Sequence, residues 1–469
     1  MRIDTLTVIF NQQSALYKQL FTFIKNSILT GRFLPGDVLP ASRRLAADMG
    51  ISRTSVLNAY NSLLAEGYIT SIRGSGYRIN HLPVPQAEKT VDDKSLPQRL
   101  TERYLPFSPE PIDTSFFPSH KWSKIITRLS REKPESLLYT DVYEKFGNRD
   151  LREAICSYLY EKKGLNCTSE QIVITSGSME SLELCVNILT EAGEMLSIED
   201  PCFPPMYTFL ARNTRVLNAM SVDHEGACHD NLPQESKAVI ITSGCQFPFG
   251  IIMSIERKMA FIQWANSRKG WIIEDDYDSD FNAEGSREPT LFTLDQNKRT
   301  LYLGSFSRLI TSELRVGYIV LPEHLLERFK QAEYEFKVSY LPQVILAEFI
   351  KTGEFYRNLL TARKIYTEKK AFFATLLREQ LSDYGYPFRS EAGSFVVFML
   401  DPAYSDSQFA VFAKSKGLDL MPLSPMCHEV NQNGFLLGFI YFNREVLKKA
   451  VSLMKHCLAL YCGAGSGIR

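Results

Sequence analysis

The sequence predicts an α/β protein in two parts, a small N-terminal head of helices with a β-hairpin and a large body. In the head, three apolar runs with helical spacing precede two β-rich runs within residues 1–80. From residue 112 to about residue 460, short apolar strands alternate with helices, which is the pattern of α/β folds. Residues 1–80 also contain nine Lys or Arg against four Asp or Glu, while the whole chain has a formal net charge of zero. A basic head on an acidic body suggests that the head meets a polyanion.

Composition is that of an ordinary soluble globular protein. The chain has 469 residues, enough for two or three domains, of which 45% are hydrophobic and 23% charged. No stretch approaches the roughly 20 uninterrupted apolar residues that a membrane helix needs, and Met1-Arg2-Ile3-Asp4 does not open a signal peptide. The nine cysteines form no C-x-x-C pair, which favours reduced thiols. We therefore expect a cytoplasmic protein without a membrane partner.

The head has the pattern of a winged helix-turn-helix. Apolar residues recur four apart over 14–31, a short helix follows over 41–49, and Ser52 caps a third helix. Each helix is ended by a glycine, a common C-terminal cap: Gly31, Gly50 and Gly67. Two β-rich runs, 68–71 and 77–79, then flank a glycine-containing turn and predict the hairpin of the wing.

Residues 39–79, LPASRRLAADMGISRTSVLNAYNSLLAEGYITSIRGSGYRI, closely resemble the DNA-binding head of GntR-type regulators. The resemblance implies contacts to double-stranded operator DNA. The implied contact residues are basic, small or polar, and lie at helix starts and at the wing tip: Arg43, Ser52, Arg53, Thr54, Ser55, Arg73 and Gly74. Short donors and a guanidinium at a helix N-terminus also suit phosphate contacts. The alternative is a small helical bundle whose arginines are only solvated.

Domain boundaries are predicted from changes in composition. Residues 1–80 form the DNA-binding domain. Residues 81–111, rich in proline and polar residues, predict an interdomain linker with little that could build a core. Residues 112–460 form the body, and residues 461–469 predict a flexible tail.

Polar and small residues follow several predicted strands of the body. Ser176-Gly177-Ser178 follows a strand and opens a helix, a plausible site for an anion. Glu274-Asp275-Asp276-Tyr277-Asp278 crowds carboxylates at a strand end, which is costly unless a cation or a protonated base lies nearby. Open α/β sheets bind ligands beyond the carboxyl ends of their strands, so we expect these loops to converge.

A metal is the weaker interpretation of the acidic run, because no histidine accompanies it at fixed spacing. His224, Cys228 and His229 share a polar loop with two aspartates, but no second Cys or His pair has the spacing of a metal site. We predict no metal site and a solvated surface loop at these residues.

Residues 302–318, YLGSFSRLITSELRVGY, resemble the segment S-F-S-K-x-x-x-x-x-L-R-x-G-Y of the fold-type I pyridoxal 5′-phosphate (PLP) enzymes. From about residue 112 onwards the chain resembles their aminotransferase-like body, which has a large mixed α/β domain and a smaller α+β C-terminal domain. Joined to the head, this body resembles the MocR subgroup of GntR regulators over nearly the whole chain.

The resemblance implies a PLP site. Asp275 would pair with the pyridine nitrogen and Tyr277 with the ring hydroxyl. Phe203 would stack on the ring, and Gln246, in Gln246-Phe247-Pro248, would line its edge. The residues implied for the phosphate are Gly177, Ser178, Met179, Ser305, Ser307 and Arg315.

The pattern breaks at its most chemical positions. Arg308 stands where the family has the lysine that holds PLP as a Schiff base. A guanidinium stays protonated and cannot form an imine, although it can pair with a phosphate or carboxylate as a fork. The family's substrate-carboxylate arginine, in a G-F-x-R context, is replaced at Tyr441. Because transamination needs the lysine as anchor and base, we predict no catalytic residue and PLP bound non-covalently or not at all.

The sequence thus predicts a homodimeric, DNA-binding transcription regulator with a catalytically degenerate, effector-sensing body. One alternative is a PLP-dependent aminotransferase with an appended DNA-binding head. The other is a regulator whose body binds a different small anion or no ligand.

Overall fold

The computed structural model of the protein describes residues 15–72, 76–81, 104–115, 117–132, 134–135, 145–213, 215–230, 232–282, 289–332, 338–390 and 392–465. The chain divides into two compact units, residues 1–101 and 102–469. They are called the head and the body below.

The head combines three helices with a three-stranded antiparallel sheet within its described residues. Its elements are α1 (Leu16–Leu29), β1 (Val38–Leu39), α2 (Ser42–Met49), α3 (Arg53–Ala65), β2 (Ile69–Ile72) and β3 (Gly76–Ile79). Leu20, Ile24, Val56, Tyr60 and Leu63 are fully buried and form the centre of its core. The predicted helices and hairpin are present. Strand β1 was not predicted, because two residues that pair with β3 are too few to show a period.

Residues 104–115, here called the strap, belong to the body and pack against the rest of it. The sequence had placed residues 104–111 in the linker. Phe107 is fully buried, and its carbonyl accepts a hydrogen bond of 2.8 Å from the amide of Gly438. The carbonyl of Pro106 accepts another, of 2.9 Å, from the amide of Asp419. Two aromatic residues among prolines, Tyr104 and Phe107, are a weak sequence signal, because only the tertiary structure shows that Phe107 becomes buried.

The centre of the body is an eight-stranded sheet in the order β4-β11-β10-β9-β8-β5-β6-β7. Its strands are β4 (Ile172–Thr175), β5 (Met195–Asp200), β6 (Val216–Asp223), β7 (Gly226–Ala227), β8 (Ser236–Ile241), β9 (Trp271–Asp276), β10 (Thr300–Ser305) and β11 (Gly317–Val320). The five strands from β10 to β6 are parallel, while β11 is antiparallel to both β4 and β10. The carboxyl ends of the parallel strands therefore meet along one edge.

Helices surround this sheet and connect its strands. In chain order, and within the described residues, they are α4 (Ser119–Glu132), α5 (Arg149–Lys163), α6 (Ser178–Leu189), α7 (Pro204–Arg212), α8 (Ile255–Arg268), α9 (Leu291–Leu294), α10 (Leu326–Gln331), α11 (Tyr340–Lys351) and α12 (Glu354–Leu381). The parallel strand β8 ends in a buried apolar run, Ala238 to Ile241, as expected where helices cover a parallel sheet on both faces.

A smaller antiparallel sheet completes the body, in the order β12-β13-β15-β14. Its strands and helices are β12 (Gly385–Pro387), β13 (Phe395–Leu400), α13 (Asp406–Ser415), β14 (Met421–Pro422), β15 (Gly434–Gly438) and α14 (Arg444–Gly465). The final helix continues to Gly465, beyond residue 461, where the sequence predicted the tail to begin. In the described part of the chain, no helix has the length and apolar character needed to cross a membrane.

Candidate functional site

A cavity of about 260 Å³ lies where the loops after the parallel strands converge. Its wall contains residues at or just after the ends of four strands: Glu199 of β5, Thr242 after β8, Asp275 of β9 and Ser305 of β10. Of the cofactor residues implied by the sequence, it gathers all but Gln246: Gly177, Ser178, Met179, Phe203, Asp275, Tyr277, Ser305, Ser307, Arg308 and Arg315. The predicted convergence of these loops therefore takes place around one space.

One part of the cavity suits an anion. Ser178 is the first residue of α6, where the N–H groups of the first turn have no partner within the helix. Gly317 allows β11 to approach this turn, because a Cβ at Gly317 would lie only 2.8 Å from the Cα of Gly177. Arg315 precedes β11 with a left-handed φ of 50° and lines the same cavity. A helix N-terminus, a cation and the side chains of Ser305 and Ser307 thus line the same cavity.

The acidic run of β9 is divided between two faces of the strand, as alternation requires. Asp275 lines the cavity, and its Oδ1 is buried without a hydrogen-bond partner among the described residues. Burial, with the charge of Asp276, raises the pKa of Asp275 to about 7. Asp276 instead meets the Lys163 ammonium at 3.0 Å and accepts 2.5 Å from the Tyr302 hydroxyl. Asp276 is therefore compensated by Lys163, whereas Asp275 remains a buried carboxyl group with an unpaired oxygen.

Glu199 is a second carboxylate of the cavity, which the sequence did not single out. The amide of Thr242 donates to its Oε1 at 3.1 Å, and the Thr242 hydroxyl donates to its Oε2. Burial raises its pKa to about 7, against these hydrogen bonds and with help from the charge of Asp275. The position of Glu199 at the end of a predicted strand was the available signal.

Aromatic rings form the apolar side of the cavity. Phe203 is 40% exposed, and its ring lies edge-on to Phe247 with centroids 5.6 Å apart. Phe247 also meets the rings of Tyr277 at 6.1 Å and Phe395 at 6.4 Å. Phe395 begins a strand of the smaller sheet, so no local pattern in the sequence could have placed it here.

Gln246 does not line the cavity, in contrast to the role implied by the sequence. Its side chain is buried, and its Nε2 donates to the carbonyls of Pro201 at 3.1 Å and Phe247 at 2.6 Å. Its Oε1 accepts 3.3 Å from the amide of Phe249. Gln246 therefore holds the loop from behind, while its neighbour Phe247 presents a ring to the cavity.

Arg308 lines the cavity and is half-buried. Its Nη1 donates to the carbonyl of Pro109 at 3.0 Å, and its guanidinium lies 4.4 Å from the centroid of the Phe395 ring. Asp278 is close enough for the Arg308 charge to lower its pKa, although burial raises that pKa to about 6 overall. The Asp278 carboxylate instead accepts 2.6 Å and 2.8 Å from the amide and hydroxyl of Ser394. No lysine is among the described residues that line the cavity.

The predicted DNA-contacting side chains of the head are accessible where they are described. Arg43 on α2 and both Arg53 and Thr54 at the start of α3 are exposed. Ser52 caps α3, since its Oγ accepts 3.1 Å from the amide of Ser55 and lies 2.9 Å from the Ser55 hydroxyl. Arg73 and Gly74 lie outside the described residues.

The polar loop around His224, Cys228 and His229, for which the sequence predicted no metal site, is held by ion pairs to Arg257. Arg257 Nη2 lies 3.0 Å from a carboxylate oxygen of both Asp223 and Glu225. The Cys228 thiol donates to Asp223 at 3.4 Å. Among the described residues, no group of three or more His, Cys, Asp or Glu has the arrangement of a metal site.

Both units of the chain match known protein families. Residues 16–79 match the family of bacterial regulatory proteins of the gntR type, and residues 118–425 match aminotransferase class I and II. The probable rhizopine catabolism regulatory protein MocR of Rhizobium meliloti is 28% identical, over 94% of this chain and 93% of its own length. The uncharacterized HTH-type transcriptional regulator YdeL of Bacillus subtilis is 30% identical, over 94% of this chain and 96% of its own.

The fold of the body is that of solved aminotransferases. LysN, the α-aminoadipate aminotransferase of Thermus thermophilus, crystallised with N-(5′-phosphopyridoxyl)-L-leucine, is similar with a TM-score of 0.69 and 22% identity. The similarity covers 77% of this chain and 93% of that one. The chain has a winged helix-turn-helix head that precedes an aminotransferase-type body in sequence. It therefore belongs to the MocR-type GntR transcriptional regulators.

Proposed function

We propose that this regulator senses a phosphorylated ligand of the PLP class in its body, without turning over an amino donor. The observation that carries the proposal is the wall of the cavity. It contains groups that suit a pyridine ring and a phosphate, and it contains Arg308, which the resemblance aligns with the Schiff-base lysine.

The cavity fits such a ligand at two points. The buried Oδ1 of Asp275 has no partner among the described residues, which is costly unless a bound group supplies a donor. A protonated pyridine nitrogen is such a donor, and its charge would favour the ionised carboxylate. At the second point, the start of α6 and Arg315 would neutralise a phosphate, while Phe203 would cover a ring face.

Turnover requires a group that the described residues of this wall do not supply. PLP supplies an electron sink, but transamination also needs a side-chain amine that can bond to the cofactor and move a proton. The guanidinium of Arg308 stays protonated near neutral pH and cannot serve either role. Since no lysine is among the described lining residues, we infer that ligand binding shifts populations of the regulator rather than starting a reaction.

The test is reversible binding. We expect the full-length protein to take up PLP in equilibrium dialysis, to lose it on further dialysis, and to retain none after borohydride treatment. The Arg308→Lys variant should gain a visible absorption band and a borohydride-fixed ligand. A fixed ligand in the body of the unaltered protein would contradict the proposal, as would failure of both proteins to bind.

We further propose that the regulator works as a homodimer whose two heads read paired half-sites. The support is the class of the chain, since the resemblance to MocR-type regulators implies a homodimer. Sedimentation with and without operator DNA would measure one or two chains per particle, and a monomer on DNA would contradict this assembly.

A further inference from the structure

We propose that Arg308 recognises a carboxylate on the ligand, so that the effector is a phosphopyridoxyl compound that also carries a carboxylate. This inference rests on the proposed function and names the ligand class of the same site. Arg308 is then a specificity-determining residue, rather than only the remnant of a lost lysine.

The first step of the argument is charge. Arg308 is half-buried in the cavity wall, and no carboxylate oxygen of the described residues lies within 4 Å of its guanidinium. The carboxylate of Asp278, whose pKa responds to Arg308, accepts from the amide and hydroxyl of Ser394 through Oδ2, while its Oδ1 is buried without a hydrogen-bond partner among the described residues and makes no ion pair with Arg308. A partly buried cation without a contacting anion is stabilised by an anionic group on a ligand.

The second step is geometry. One nitrogen of the guanidinium, Nη1, donates to Pro109, and the face of the group rests on the Phe395 ring at 4.4 Å. Two fixed contacts orient a planar fork whose remaining N–H groups donate to no described residue. A carboxylate is planar and pairs with such a fork through two parallel hydrogen bonds.

The third step separates this group from the phosphate. Arg315 adjoins β11, whose Gly317 lies against Gly177 at the start of α6. Arg308 instead lies near Phe395, Tyr277 and Pro109, and its charge also acts on Asp278 without a direct ion pair. The cavity thus offers two cations with different neighbours, and a ligand with one phosphate would leave Arg308 without a contacting anion.

The fourth step concerns Tyr441, which the resemblance aligns with the family's substrate-carboxylate arginine. Tyr441, which stands in the G-F-x-R context, is absent from the described lining of the cavity and lies edge-on to Tyr104 of the strap at 5.5 Å. Among the described residues of the lining, the cations are Arg308 and Arg315, so a carboxylate away from the phosphate is left to Arg308.

Two stable probes test the inference by calorimetry on the full-length protein. The first is N-(5′-phosphopyridoxyl)-L-leucine, and the second is its decarboxylated analogue, N-(5′-phosphopyridoxyl)-3-methylbutylamine, which differs only in the carboxylate. Both are secondary amines, so neither can bond covalently to a lysine. We expect the unaltered protein to bind the leucine compound about tenfold or more tightly than the analogue, as for a charge-assisted pair.

Two variants assign the preference. Arg308→Gln should bind the two probes equally, whereas Arg315→Gln should weaken both by a similar factor. A protein that binds both probes equally would overturn the role of Arg308 and leave the proposed function standing. A protein that binds neither would overturn both proposals. The comparison in the unaltered protein does not depend on any variant folding, and a preference retained by folded Arg308→Gln would also refute the assignment.

Discussion

The Nη1 atom of Arg308 donates a hydrogen bond of 3.0 Å to the carbonyl oxygen of Pro109, across 199 positions of sequence. Pro109 belongs to the strap, which the sequence had assigned to the interdomain linker. The Arg308 side chain, which lines the cavity, thus contacts the segment that begins the described part of the body. A ligand that binds the Arg308 guanidinium would therefore compete with, or strengthen, the hydrogen bond that this group donates to the strap.

The strap depends on the absence of a side chain at Gly438. A Cβ at this position would lie 2.1 Å from the Ser108 carbonyl oxygen and 2.7 Å from the Pro109 Cα. We predict that Gly438→Ala displaces the strap and lowers the free energy of unfolding of the body by about 1–3 kcal/mol, the cost of overpacking. Urea denaturation would measure it, with Val411→Ala, a site 74% exposed on α13, as the control. Equal midpoints for the two variants would show that the strap carries no such constraint.

The ligand-free body should lose stability as pH rises, through the carboxylates of the cavity. Burial raises the folded-state pKa of both Asp275 and Glu199 to about 7, above the unfolded value near 4. The native state therefore binds more protons than the unfolded state between about pH 4 and 7, so these groups lower stability across that window.

Asp275→Asn should make this decline with pH shallower, by on the order of 1–2 kcal/mol between pH 5 and 7. Urea denaturation at both pH values would measure the difference. Asp383→Asn, an exposed site after α12, is the matched control and should leave the slope unchanged. If Asp275→Asn keeps the slope of the unaltered protein, the carboxylate of Asp275 is not the buried acid described here.

Gln246 and Phe203 should separate stability from ligand binding. Gln246→Ala removes two donated hydrogen bonds and leaves the carbonyls of Pro201 and Phe247 unpaired, which should cost about 2 kcal/mol of stability. Phe203→Ala removes a partly exposed ring, so stability should change little while affinity for a phosphopyridoxyl ligand falls about tenfold. Thermal melting and calorimetry distinguish the two, and the reverse pattern would place Gln246 at the ligand.

We predict that Arg53 contributes to the affinity of the head for operator DNA. It is the first residue of α3 and is exposed. Arg53→Ala should weaken operator binding by about tenfold or more and reduce its dependence on salt, while the body keeps its melting transition. Arg131→Ala, which removes the same charge from α4 of the body, is the control. Gel-shift titrations at two salt concentrations measure both, and normal binding by Arg53→Ala would refute the assigned surface.

Ser52 should affect DNA binding in two ways, by capping the N-terminus of α3 and by contacting the DNA itself. Ser52→Ala removes the side-chain acceptor for the Ser55 amide and should cost the head about 1 kcal/mol. Ser52→Thr should restore both stability and DNA affinity. Ser52→Asp should restore the cap but repel phosphate, so that the head is stable and binds DNA poorly. If Ser52→Asp binds as well as the unaltered protein, this end of α3 does not face phosphate.

Much of the site could be predicted because its residues follow strands that the sequence shows clearly. Asp275, Ser305 and Ser178 each stand at a strand end or a helix start, and parallel strands bring such ends to one edge. The helices of the head likewise follow from apolar spacing and glycine caps, which act within a few residues.

The sequence by itself therefore determined the order of the elements, the head, and which strand ends could meet. Tertiary structure alone decided that Gln246 turns inward, that Phe395 closes the cavity from the second sheet, and that the strap reaches Arg308 through Pro109. The physical reason is distance along the chain. Periodicity and capping are local, whereas a contact between segments far apart depends on the packing of everything that brings them together.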